Sequence, residues 1–169
     1  METEKLSKNI TYPEAKFKNV LTVFWSGSKP KKWSLFVLVF AIISANILAI
    51  TIPLLYKQFF DIISAGGERA QMAQNLLTII IYIAILNGFF WGLYRIATFA
   101  NNSFQPEVMA NLKQRAYNYL IDHSYSFFAN NFTGSLVQKV NRLARAFETL
   151  SDRLVWDILP LFIRTVSII

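Results

Sequence analysis

The sequence has no cysteine, which excludes disulfides, thiolate metal sites and cysteine nucleophiles. It has one histidine, and neither an H-E-x-x-H helix nor a glycine-rich phosphate loop, so few groups remain for acid–base, metal or nucleotide chemistry. Charge is scarce too. Only 16% of the 169 residues are Asp, Glu, Lys or Arg, below the quarter or so of a soluble domain. What fills the space is apolar: 54% of residues are hydrophobic and the mean hydropathy is +0.35. These residues are bunched into blocks, which disfavours a single soluble core.

The net charge of +7 would suit either nucleic acid or an anionic membrane surface, so the placement of the charges decides. Lys5, Lys8, Lys16, Lys18, Lys29, Lys31 and Lys32 crowd the first 32 residues against Glu2, Glu4 and Glu14. The run 33–56, from Trp33 to Tyr56, then carries no charge at all. As a helix it would reach about 36 Å, enough to cross a hydrocarbon core of about 30 Å. A cleaved leader is disfavoured by the long run and by a second one. That second run, 70–94, is uncharged between Arg69 and Arg95. Asp61, Gly66 and Gly67 give the connection between the two runs its polarity and turn chemistry. Lys113, Arg115, Lys139, Arg142, Arg145 and Arg153 follow the second run. The positive-inside rule therefore puts the N-terminus and this long segment in the cytoplasm, as expected of an integral protein of the plasma (inner) membrane. The basic balance reads as topology, with no nucleic-acid partner.

Helical spacing organises the rest. Residues 13–25 repeat Phe17, Val20, Leu21 and Phe24 on one face, with Pro13 in the first turn. This is an amphipathic helix suited to the headgroup region or, alternatively, to packing on a partner; the following "SGSKPKK" reads as a flexible linker. Residues 75–124 form the second span with its continuation. Phe104, Val108, Leu112, Ala116, Tyr119 and His123 line one face, and a kink is expected at Pro106. After a Thr-Gly break, residues 135–169 begin with a capping box, Ser135 and Gln138. They continue with Leu136, Val140, Leu143, Phe147, Leu150 and Leu154 at the 3.5-residue period of coiled-coil packing. The two stripes predict an antiparallel cytoplasmic hairpin. The closing "ILPLFIRTVSII" reads as the start of a third span, so the chain is expected to be a fragment or truncated product, with Arg164 at the inner interface.

At the hairpin tip lies "SYSFFANNFTGSLVQK", with Phe127, Phe128 and Phe132 far from lipid. Three rings at an exposed tip suggest a docking surface, although the rings could also cap the hairpin's own core. The order of interfacial helix, two spans, long inward extension and "LKQRAYNYLIDHSYSFFANNFTGSLVQKVNRLARAFETL" resembles the transmembrane domain of ATP-binding-cassette (ABC) exporters, its N-terminal part. Arg115, Leu120, Phe127, Phe128, Gly134, Leu136, Val137 and Lys139 carry the resemblance. Asn130 and Asn131 depart from it where an acidic residue is common, as do Lys139 where Arg is usual and the lack of a following Asp.

The resemblance implies an all-α polytopic membrane bundle in which 126–132 is a coupling helix. Ser126, Phe127, Phe128, Ala129, Asn130, Asn131 and Phe132 would then seat in a nucleotide-binding domain. It further implies a second transporter half and, in that other domain, ATP and magnesium. This chain would hold no catalytic site, while the full transporter would be an ATP-hydrolysing translocase. Asn46, Thr51, Asn87 and Arg95 could line the substrate path or serve helix packing and headgroup contact. A membrane-anchored signalling module with a protruding hairpin, and a soluble helical bundle, are the rival readings. A docked aromatic anchor is worth about 2 kcal/mol or more, so Phe128→Asp in the full transporter should cut transport at least about tenfold. ATP hydrolysis and membrane insertion should persist; unchanged transport in a vesicle uptake assay would count against the docking role.

Overall fold

The computed structural model describes residues 17–123 and 133–168, and all of them are helical except 66–68 and 122–123. Helix α1 (Phe17–Ser28) passes through a 3-10 turn (Lys29–Lys31) into α2 (Lys32–Ala65). Helix α3 (Arg69–Ile121) returns antiparallel to α2. Helix α4 (Thr133–Asp152), a π-helical segment (Arg153–Ile158) and α5 (Leu159–Ile168) complete the described chain.

The segment 26–32 is ordered helix rather than a flexible linker. Pro30 sits in the first turn of the 3-10 segment, where its missing N–H costs nothing. Gly27 is there for proximity instead of mobility. A Cβ at that position would lie 2.9 Å from Leu112 Cδ2 and 3.6 Å from Val108 Cγ1. The connection between the two long helices is shorter than the sequence led one to expect. Lys57 and Asp61, one turn apart, are compatible with helix, so α2 runs on to Ala65 and only 66–68 remain to reverse the chain. Gly66 at φ 64° and Gly67 at φ 144° make that reversal, in backbone regions closed to most side chains.

Both long stretches, Lys18–Ala65 and Arg69–Ile121, are long and apolar enough to cross a membrane. At about 1.5 Å per residue α3 alone is about 80 Å long. It passes through Pro106 as one helix. Its two halves live in different surroundings. From Ile80 to Ile96 no side chain is buried, and Ile81, Phe89 and Trp91 are more than half exposed. From Ala97 onward Ala97, Asn101, Phe104, Val108 and Leu112 are buried, against α1 and α4 as well as α2.

The core lies at that second half. Phe24, Leu38, Ala41, Ile42, Phe104, Val108, Leu112, Phe147 and Val155 form one cluster drawn from α1, α2, α3, α4 and the π segment. Two expected stripes are altered there. On α3 burial ends at Leu112: Ala116 is half-buried and Tyr119 is 68% exposed. On α4 the buried line is Leu136, Val140, Ala144, Phe147, Ser151 and Val155, with Leu143 and Leu150 flanking it. The buried line has moved one position past the expected Leu143 already at Ala144, whose small side chain suits close helix approach, and it runs on through Ser151 to Val155 in the π segment.

Leu112→Ala should cost about 2–5 kcal/mol of stability by opening a cavity beneath Gly27, and Gly27→Leu about 1–3 kcal/mol by overpacking the same contact. Because the new side chain at 27 occupies the space vacated at 112, the double variant should lose less than the sum. Thermal unfolding of all four proteins in detergent checks this; strict additivity would mean the two residues are not in contact.

Candidate functional site

The coupling segment expected at 126–132, Ser126, Phe127, Phe128, Ala129, Asn130, Asn131 and Phe132, lies outside the described residues. Its two flanks are described. On one side α3 ends as Asp122 N donates to Asn118 O at 3.3 Å and His123 N to Leu120 O at 3.1 Å. The His123 ring lies 4.7 Å from that of Tyr119, with Nδ1 2.8 Å from the Tyr119 carbonyl, so the single histidine closes a helix end. On the other side α4 begins at Thr133. Beyond Arg95, α3 continues to Ile121, a stem of about 39 Å at about 1.5 Å per residue.

The stem is fixed at its root by three rings. Phe147 of α4 meets Phe24 of α1 edge-on at 5.3 Å and Phe104 of α3 at 6.2 Å. Helix α1 thus docks by Phe24 and half-buried Val20, while Leu21, Val23 and Trp25 stay exposed. Arg115 adds a bond from α3 to the same helix, donating to Ser26 Oγ at 2.6 Å. An apolar groove of about 580 Å³ opens beside this knot, lined by Leu21, Trp25, Leu35, Val39, Ile158 and Phe162 among others.

Next to the rings runs a polar seam that the apolar stripes concealed. Asp152 can only accept, so the amide nitrogen of Gln105 faces it, donating to Oδ1 at 3.0 Å and to the Glu148 carbonyl at 3.3 Å. The Gln105 carbonyl then accepts from Asn101 Nδ2 at 3.3 Å, and buried Asn101 Oδ1 is left without a partner. Sequence reasoning missed this site. The one available signal was the one-turn spacing of Asn101 and Gln105 on an otherwise apolar face.

The four residues considered for the substrate path are scattered. Thr51 and Asn87 are exposed, and each donates to the carbonyl four residues back, Ile47 O at 3.3 Å and Ile83 O at 2.8 Å. Arg95 is exposed and stands 5.7 Å over the Phe99 ring. Asn46 differs, being fully buried. Its Nδ2 donates to Ile42 O at 2.9 Å and its Oδ1 accepts from Arg164 Nε at 3.1 Å.

Arg164, expected from the sequence at an inner interface, thus lies against Asn46 of α2. Trp156 stacks on Tyr94 at 6.3 Å, so the last helical run is already level with the Arg95 end of the second apolar run at residue 156. Arg164 lies about two turns further along, against the middle of α2. No protein-family model, curated protein or solved structure matches this chain.

Gln105→Leu leaves Asp152 and the Asn101 amide unpaired and should cost about 1–3 kcal/mol, whereas Asp152→Asn, which keeps an acceptor, should cost less than about 1 kcal/mol. Equal losses in thermal unfolding would mean that the seam does not join α3 to α4 through Gln105.

Proposed function

We propose that this chain is the membrane-spanning part of an ABC-type exporter, embedded in the plasma (inner) membrane with its N-terminus in the cytoplasm. It forms part of a substrate path and links that path to ATP hydrolysis. One observation carries the reading. Helix α3 is a single unbroken rod of 53 residues whose first half leaves its apolar side chains uncovered and whose second half is clasped by α1 and α4. A soluble bundle would gain by burying Phe89, Trp91 and Ile81; a bilayer makes their exposure favourable. A rod that leaves the membrane and ends in a packed hairpin is suited to carrying a displacement from one end to the other as a rigid body.

In this reading the nucleotide-binding domain, lying outside these 169 residues, handles ATP and magnesium. The coupling segment 126–132 receives its motion, and α3 with α4 transmits it. The three-ring knot and the Gln105 seam keep the two arms from sliding, while α1 ties the stem to the start of the first span. A second transporter half completes the enclosure, as the resemblance to ABC exporters implies. The signalling-module reading shares the hairpin but gives no role to a polar group facing the middle of the spans, which favours transport.

The chain lacks cysteine, so single introduced thiols report topology directly. In intact cells a membrane-impermeant maleimide should label Glu68→Cys, should label Gln114→Cys only after permeabilisation, and should leave Ile85→Cys unmodified in both. Labelling of the first two from the same side, or ready labelling at 85, would overturn the reading.

A further inference from the structure

Arg164 carries five N–H donors, of which one, Nε–H, is used in its bond to Asn46 Oδ1. Among the described residues the other four have no hydrogen-bond or ion-pair partner, and no carboxylate pairs with the guanidinium. Arg164 itself is exposed, while its fixed neighbour is neutral and fully buried. Asn46 is itself anchored to its own helix at Ile42 O, so it holds the guanidinium in place without neutralising it.

The depth of this pair gives it consequence, and here the inference rests on the membrane-spanning reading. Asn46 is 14 residues beyond Lys32, about 21 Å along α2 at about 1.5 Å per residue. With the lysines of 29–32 and Trp33 at the inner headgroups, that distance reaches the middle of a hydrocarbon core of about 30 Å. A guanidinium there, with four donors open, is costly unless it faces water or an anion. The chain is too short of acidic groups at this level to answer it from within. Residues 33–56 of α2, 70–94 of α3 and 159–168 of α5 contain no Asp or Glu.

We propose that Arg164, held by Asn46, is the recognition site for an oxyanion, phosphate or carboxylate, borne by the molecule that this transporter moves. Nε–H is committed to the asparagine, which leaves the two terminal amino groups facing away from it to take two oxygens of one anion. Planar fork geometry suits that task where a lysine's point charge would give attraction without orientation. Asn46 acts as a positioning residue: it restricts the long side chain before the anion arrives.

The test uses the full chain in an uncharged detergent, with dioleoyl phosphatidic acid, dioleoyl phosphatidylcholine and inorganic phosphate as probes, and with native mass spectrometry and thermal shift as readouts. Phosphatidic acid should bind saturably and more tightly than phosphatidylcholine. Arg164→Gln should weaken it by at least about tenfold, Arg164→Lys by less, and Asn46→Leu by several-fold. Arg142→Gln, with the same loss of charge at an exposed position of α4, should leave binding unchanged. Inorganic phosphate that competes as well as the lipid would assign the site to a soluble anion, and failure to compete would assign it to an amphiphile. Equal binding by Arg164→Gln and the parent, or an equal loss in Arg142→Gln, overturns the proposal.

A fluorophore at Ile47→Cys, quenched by lipids brominated at known depths, separates this failure from failure of the membrane reading. A mid-bilayer signal with no Arg164 effect sinks the anion site alone, whereas a headgroup signal sinks the reading beneath it. Circular dichroism of each variant excludes misfolding, and Arg164→Lys keeps the test decisive if the glutamine variant fails to fold.

Discussion

Everything beyond the two antiparallel rods depends on the contact of Phe147 with Phe24 and Phe104. Helices α1, α3 and α4 come from distant parts of the sequence, and these rings are where all three meet. Edge-on and tilted ring pairs gain more than their buried area alone, and they are directional, so they fix rotation as well as distance. With the rotation of α4 fixed, its small residue Ala144 and the seam residue Asp152 fall on α3 and not on solvent. Gly27 allows α1 to lie close enough for Phe24 to take part.

Two kinds of packing meet at this point. Among the rings and along α4, burial of large apolar side chains from water can supply the stabilisation. Along the apolar halves of α2 and α3 little is buried, and what is buried includes small residues, Ala41, Ala45 and Ala97. In hydrocarbon, where lipid tails are as apolar as leucine, close approach of such residues is what holds helices together. The polar Gln105 seam and the π segment lie at the junction. The π segment carries buried Val155 and presents Trp156 to Tyr94, and across it the chain passes from packing on α3 to packing on α2.

For the proposed transporter this arrangement separates duties along one molecule. The stem is rigid because its contacts are large, ring-based and hydrogen-bonded across helices. The spans are loosely held within the chain, with Gly88 and Gly92 open on their outer side, which leaves their faces for lipid or further helices. Arg164 and Asn46 add a charged feature at a depth where charge is costly and therefore informative.

The all-helical class, both apolar runs, the turn at Gly66 and Gly67 and the hairpin pairing of α3 with α4 were legible in the sequence. Each follows from local causes: charge-free length, backbone freedom at glycine, and periodicity. The aromatic stretch 126–132, read from composition alone, lies outside the described residues. Only tertiary structure decided that Gly27 serves contact rather than flexibility, that the stripe passes from Leu154 to Val155, and that Gln105 reaches across to Asp152. The same holds for the pairing of Arg164 with Asn46, because counting residues along one helix cannot say which turn of another helix stands beside it. That register is set by rings and small residues meeting across space.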